Sequence, residues 1–360
     1  MKVKESMTGL TPYQPGKPME EVKRELGLKE VVKLASNENP YGSSPKVKEA
    51  VMHTLSQVSV YPDGYARLLR EKTADILGVD VKQLIFGNGS DEVILILCRS
   101  LLNKGDNIIT AVPTFPQYKH NAVIEGAEVK EVPLINGVHD LDGLLNKIDN
   151  KTKMIFVCNP NNPSGTYVNK EAFSSFMKQV PSHILVVSDE AYFEYVRADD
   201  YPDTIPMINE YENLVVLRTF SKAHGLASLR VGYGVGSEKF IQSIEPGREP
   251  FNTNSAAQAA ASASLEDKDF LDQCIQKNAL EMEKFEAFCV DNNFRYYPSE
   301  ANFILMSVGR PGGEVFEKLL QQGFIVRSGE ALGFPDYIRI TLGTAEQNER
   351  IRQELLKWLN

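Results

Sequence analysis

The segment Leu214-Val215-Val216-Leu217-Arg218-Thr219-Phe220-Ser221-Lys222-Ala223-His224-Gly225-Leu226-Ala227-Ser228-Leu229-Arg230 runs an apolar strand into a turn crowded with polar groups. A lysine at such a turn is placed to form a Schiff base with a carbonyl compound. Thr219 and Ser221 add two hydroxyls, and Arg230 adds a planar cation, a set suited to one phosphate ester. A small molecule with both an aldehyde and a phosphate is pyridoxal phosphate, and the segment implies that cofactor.

Working outward, apolar runs at 83–86, 107–112, 154–158, 184–188 and 214–217 alternate with helical patterns from about residue 45 onward. Several runs are apolar on both faces, as buried parallel strands must be, and each ends in a polar or Gly/Pro cluster. Ligands bind at such carboxyl ends. The expected fold is therefore α/β. At 360 residues the chain is too long for one ordinary core. A Pro/Gly break at 245–250, followed by an Ala-rich helical stretch, sets the expected joint. A large domain over 31–250 would precede a smaller α+β domain over 251–360. Residues 1–30, with Pro12, Pro15 and Pro18, are expected to form an arm that packs with the small domain at the substrate entrance.

The formal charge of −9, from 48 acidic and 39 basic residues, disfavours nucleic acid as a partner. Any phosphate site must be local. Cys98, Cys158, Cys274 and Cys289 show no C-x-x-C spacing, and the five histidines do not pair at metal-ligand intervals, so no metal is expected. The first residues lack the apolar stretch of a signal peptide, and no apolar run is long enough to span a bilayer. A cytoplasmic location is expected.

Further residues fall at the strand ends. The run Gly87-Asn88-Gly89-Ser90-Asp91-Glu92 opens an apolar helix, where Ser90 and Asp91 either present backbone N–H groups to a phosphate or simply cap the helix. Asp189 ends the run 184–188, as a helix cap or as the partner of a protonated pyridine nitrogen. Asn162 lies in a turn after 154–158 and offers an amide donor to a phenolic oxygen, although a tight turn accounts for it equally well. Phe115 offers a ring for stacking. Arg339, inside an apolar strand, needs an anion: a carboxylate ligand or a structural ion pair. Arg327 is a second such cation twelve residues earlier. His224 reads as a packing residue, and Gly232-Tyr233-Gly234 lacks the spacing of a dinucleotide loop.

In order and approximate spacing, Asn162-Pro163-Ser164-Gly165, Asp189-Glu190-Ala191-Tyr192, Ser221-Lys222 and Arg230 resemble the fold-type I, class II pyridoxal-phosphate-dependent aminotransferases, over nearly the whole chain. Through Leu10-Thr11-Pro12-Tyr13, Ser36-Asn37-Glu38-Asn39-Pro40 and Tyr61-Pro62-Asp63-Gly64 the nearest branch is the one acting on histidinol phosphate. The resemblance implies a large α/β/α domain with a mostly parallel sheet plus a smaller α+β domain. It implies a ping-pong transamination between histidinol phosphate and 2-oxoglutarate in histidine biosynthesis. Lys222 would form the Schiff base and shuttle the proton, Asp189 would pair with the pyridine nitrogen, and Asn162 and Tyr192 would contact the phenolic oxygen. Ser90, Asp91, Thr219, Ser221 and Arg230 would hold the phosphate. Arg339 would take the α-carboxylate of glutamate and Arg327 the substrate phosphate, with Tyr13 and Asn37 lining the substrate side. Tyr61 would reach the cofactor phosphate of a neighbouring subunit, so a homodimer is implied. Phe115 departs from the tyrosine common at the stacking position: stacking survives and a hydroxyl contact is lost. The alternatives are an aromatic amino acid aminotransferase, a threonine-phosphate decarboxylase, and, of another class, a non-catalytic ligand-binding regulator on the same fold.

Overall fold

A computed structural model describes residues 2–11 and 17–357. Among these, seven strands form the central sheet: β1 (Leu84–Gly87), β2 (Asn107–Val112), β3 (Glu128–Pro133), β4 (Thr152–Cys158), β5 (Leu185–Asp189), β6 (Leu214–Thr219) and β7 (Gly232–Val235), in the order β1-β7-β6-β5-β4-β2-β3. The pairs from β6 through β3 are parallel, whereas β7 runs antiparallel to both of its neighbours.

Alternate side chains explain why these runs are apolar throughout. On β4, Ile155 and Val157 join one hydrophobic cluster, while Met154, Phe156 and Cys158 join another on the opposite face. Leu214 and Val216 of β6 likewise face away from Val215 and Leu217. Helices Ser90–Leu101, Gln117–Ile124 and Glu238–Ile244 cover the second face. Helices Pro45–Thr54, Arg67–Leu77, Lys170–Gln179 and Ser255–Leu265 cover the first. A parallel sheet needs both faces covered, and this layering supplies that cover.

The joint expected at residue 250 is displaced. Helix Ser255–Leu265 puts Ala257, Ala260 and Ala261 into the core of the large sheet, their small side chains allowing close approach to helix Pro45–Thr54. The chain leaves this unit only after Leu265, through the N-cap Asp267 of helix Lys268–Asp291. That long helix packs on a four-stranded antiparallel sheet of order Arg327–Ser328, Ile338–Thr341, Phe303–Ser307, Arg295–Tyr297.

Residues 31–35, expected in the large domain, lie with this smaller unit as well. Val32–Lys33 pairs in parallel with Phe324–Ile325, and Val32 and Leu34 enter the smaller core. Ahead of them, Val22 of helix Met19–Leu26 packs with Leu320 and Ile325. The start of the arm touches the other unit, where the Ser6 hydroxyl donates to the Ile124 carbonyl at 3.1 Å. No helix among the described residues is long and apolar enough to cross a membrane.

Candidate active site

The carboxyl ends of β4, β5 and β6 converge with the start of helix Ser90–Leu101 on a cavity of ≈ 390 Å³. Of the residues singled out from sequence, Asn37, Ser90, Asp91, Phe115, Asn162, Asp189, Tyr192, Thr219, Ser221, Lys222, Arg230 and Arg339 all line it.

At one end lies a cup of donors. The N-cap of helix Ser90–Leu101 is Gly89, at φ 77°, and no side chain caps it. The capping role considered for Ser90 or Asp91 is therefore not taken up, and the first N–H groups and the positive helix end face the cavity. Two glycines make this approach possible. A Cβ on Gly89 would strike the Arg230 guanidinium, and one on Gly232 would come within 2.5 Å of the Ser90 nitrogen. Arg230, itself at φ 55°, donates to the Ser221 hydroxyl at 3.1 Å and pairs with Asp91 at 3.3 Å. The Thr219 hydroxyl accepts from the Ser221 amide at 3.1 Å. A non-glycine residue held in the left-handed region belongs to the strained positions that gather at functional sites.

Asp189 closes the wall formed by β5 and is 2 % exposed. Its Oδ2 accepts from the Tyr118 hydroxyl at 2.6 Å and its Oδ1 from the Ala191 amide at 3.2 Å. The next residue, Glu190, is neutralised by Arg218 at 2.9 Å, so Asp189 is the member of the pair that meets the cavity. Burial pushes its carboxyl up to about 6.

Lys222 is half-buried, with its Nζ donating to the Ser36 carbonyl at 3.3 Å. Burial, reinforced by the nearby Arg339 charge, lowers it to about 8, so a useful share is unprotonated near neutral pH. The Tyr192 ring lies beneath it, 5.8 Å from Nζ to centroid, and the phenol, raised by burial, accepts from Asn37 Nδ2 at 2.8 Å. Asn37 in turn binds Thr341 through backbone and side chain, each at 2.9 Å.

Asn162 gives its amide oxygen to Arg339, which leaves the NH₂ group as the donor. Arg339, 6 % exposed, also donates to the Ala35 carbonyl at 2.8 Å. It borders a second cleft of ≈ 480 Å³, shared with Phe115, Asn162, Arg327, Lys119 and Thr11. Tyr61 stands apart: it is 79 % exposed, stacks on Phe251 at 4.7 Å, and lines neither cavity of its own chain. Tyr13 lies outside the described residues. Sequence reasoning gave no role to Tyr118, Ser36 or Gly232. For the first two no sequence signal exists, since their contacts span 71 and 186 residues.

The residues present fit pyridoxal phosphate. An uncapped helix start beside two hydroxyls and an arginine suits a phosphate, and a buried carboxylate held only by neutral donors suits a ring nitrogen that carries a proton. Lys222 brings a side-chain amine into the same cavity. Such a site on such a sheet defines a cofactor-dependent enzyme of the fold-type I class.

The chain belongs to the aminotransferase class I and II family, whose model matches residues 29–355. It is similar to the histidinol-phosphate aminotransferase of Geobacillus sp. (strain WCH70), 60% identical over 359 residues, covering 100% of this chain and 98% of that one. The histidinol-phosphate aminotransferase of Bacillus subtilis (strain 168) is 54% identical over 352 residues, 98% of each. The crystal structure of histidinol-phosphate aminotransferase from Sinorhizobium meliloti in complex with pyridoxal-5'-phosphate superposes with a TM-score of 0.89 at 25% identity, over 99% of this chain and 97% of that chain.

Proposed function

We propose that this chain catalyses transamination between histidinol phosphate and 2-oxoglutarate, forming imidazole acetol phosphate and glutamate in histidine biosynthesis. The observation that carries this is the convergence of Lys222, Asp189 and the phosphate cup in one cavity, with Arg327 and Arg339 bordering the adjoining cleft. Similarity over the full chain to relatives of that name supports the substrate.

Pyridoxal phosphate, when bound, supplies the electron sink for charge developing on the substrate carbon. Thr219, Ser221, Arg230 and the Ser90 and Asp91 amides hold its phosphate. Asp189 keeps a proton on the ring nitrogen, the Asn162 amide and the Tyr192 hydroxyl orient the phenolic oxygen, and Phe115 covers the ring. Lys222 Nζ is both the base that takes the α-proton and, once protonated, the acid that returns it. Arg339 receives the α-carboxylate of glutamate, Arg327 receives the substrate phosphate, and Asn37 lines the substrate side. Each substrate completes its own half of the exchange, so ping-pong kinetics follow.

A homodimer and a cytoplasmic location belong to the same proposal. Met52, Leu55, Val58, Val60, Tyr61 and Leu68 are exposed large apolar side chains close together in the chain, the kind of surface that a second copy covers. Tyr61, turned away from its own cavity, would then complete the partner's phosphate cup. Sedimentation of the purified protein as a monomer would remove this part of the proposal.

The test of function is an absorption spectrum titrated separately with histidinol phosphate and with glutamate. Conversion of the visible band by both amines is the expected result. Response to glutamate and aromatic amino acids alone would move the assignment to an aromatic aminotransferase.

A further inference from the structure

Tyr118 stands in the first turn of helix Gln117–Ile124 and is wholly buried. Its ring lies flat on Phe156 of β4, centroids 4.5 Å apart at 13°, and meets Phe115 edge-on at 5.6 Å and 77°. Phenylalanine would satisfy that packing. A buried hydroxyl costs stability unless it finds a partner, so its presence calls for a reason. The partner is Asp189 Oδ2, at 2.6 Å, on the one carboxylate that closes the β5 wall.

We propose that Tyr118 is a positioning residue that keeps Asp189 ionised and oriented, so that the proton they share with the cofactor stays on the ring nitrogen. The proposal rests on Asp189 as the partner of that nitrogen. With Tyr118 occupying Oδ2 and the Ala191 amide on Oδ1, the carboxylate cannot rotate freely.

The surroundings make such a donor necessary. Burial and the charges of Asp91, on helix Ser90–Leu101, and of Glu190 push the Asp189 carboxyl up, whereas the Tyr118 and Ala191 donors pull it down. Cys158, level with Asp189 on β4, and the phenols of Tyr192 and Tyr201 also face it, each raised by burial and so uncharged near neutral pH. Loss of the Tyr118 hydroxyl therefore raises the carboxyl further and draws the proton from the ring nitrogen to Asp189.

The test loads cofactor-free wild type and Tyr118→Phe with pyridoxal phosphate carrying ¹⁵N in the ring, and reads the nitrogen chemical shift alongside the melting temperature. In wild type a pyridinium shift is expected. In Tyr118→Phe the shift should move toward neutral pyridine, with the rate of the glutamate half-reaction down by about tenfold to a hundredfold, as for a lost hydrogen bond to a charged group, and KM little changed. A pyridinium shift retained in the variant, whatever its melting temperature, overturns the role of Tyr118 and leaves that of Asp189 standing. A neutral shift already present in wild type overturns both.

Discussion

Arg327 and Arg339 stand directly opposite each other on adjacent antiparallel strands. Residues so paired project from the same face, and two like charges there repel unless an anion lies against them. Both border the same cleft. Arg339 donates to Asn162 and to the Ala35 carbonyl and lines both the cleft and the cavity that holds Lys222, whereas Arg327 lines the cleft but not that cavity. Arg327→Ala should lower kcat/KM for histidinol phosphate by about tenfold to a hundredfold, the range for a lost charge-assisted contact, and affect phenylpyruvate far less. Equal losses for the two would remove the phosphate role.

Lys222 yields a pH prediction. Its amine is lowered to about 8, and only the neutral amine attacks an aldehyde. The rate at which cofactor-free protein takes up pyridoxal phosphate should therefore rise with pH and level off above about 8. A stopped-flow series across that range tests it, and a flat profile would show that Lys222 is not the attacking group. Lys222→Ala should form no visible band and lose nearly all turnover.

The strand runs and the lysine turn were legible because parallel strands are apolar on both faces and gather polar residues at their carboxyl ends. The joint lies beyond the Pro/Gly break at 250 because alanines at 257, 260 and 261 pack against helices some two hundred residues earlier, and a small-residue stripe does not say which neighbour it will meet. The pairing of Val32 with Phe324 was hidden for the same reason. Gly232 lies in a stretch whose spacing does not match a dinucleotide loop, so local sequence assigns it no role. Its use, making room for the Ser90 amide, depends on β7 being inserted between β1 and β6, an order that local sequence does not encode.

Asn37 joins the two units at the site. It adopts φ 55° and reaches Tyr192 on one side, with Thr341 and the Asn302 amide on the other. Asn37→Gly keeps the backbone conformation and loses the side-chain contacts, whereas Asn37→Ala loses both. Each should lower turnover by freeing the Tyr192 hydroxyl, and alanine should cost about 1–2 kcal/mol more stability than glycine because the left-handed conformation penalises a Cβ. Chemical denaturation of both variants measures that difference, and equal stabilities would mean that the conformation of Asn37 is not maintained.

Gly232→Ala tests the cup from the side of the sheet. A Cβ at this position would lie 2.5 Å from the Ser90 nitrogen and 2.7 Å from the Gly89 carbonyl carbon, both backbone atoms that cannot swing aside. Either β7 or the start of helix Ser90–Leu101 must shift, and the helix start has no side-chain cap to hold it. The amides at that helix start, proposed to hold the phosphate, would move with it, while Lys222 and Asp189, on β6 and β5 exits, would stay. The variant should therefore bind pyridoxal phosphate at least about tenfold more weakly, as loss of one charge-assisted contact implies, yet still form its visible band at saturating cofactor. Inorganic phosphate should also protect the cofactor-free wild type against thermal unfolding more than it protects the variant. If both proteins bind cofactor and phosphate alike, the helix start is not the phosphate cradle.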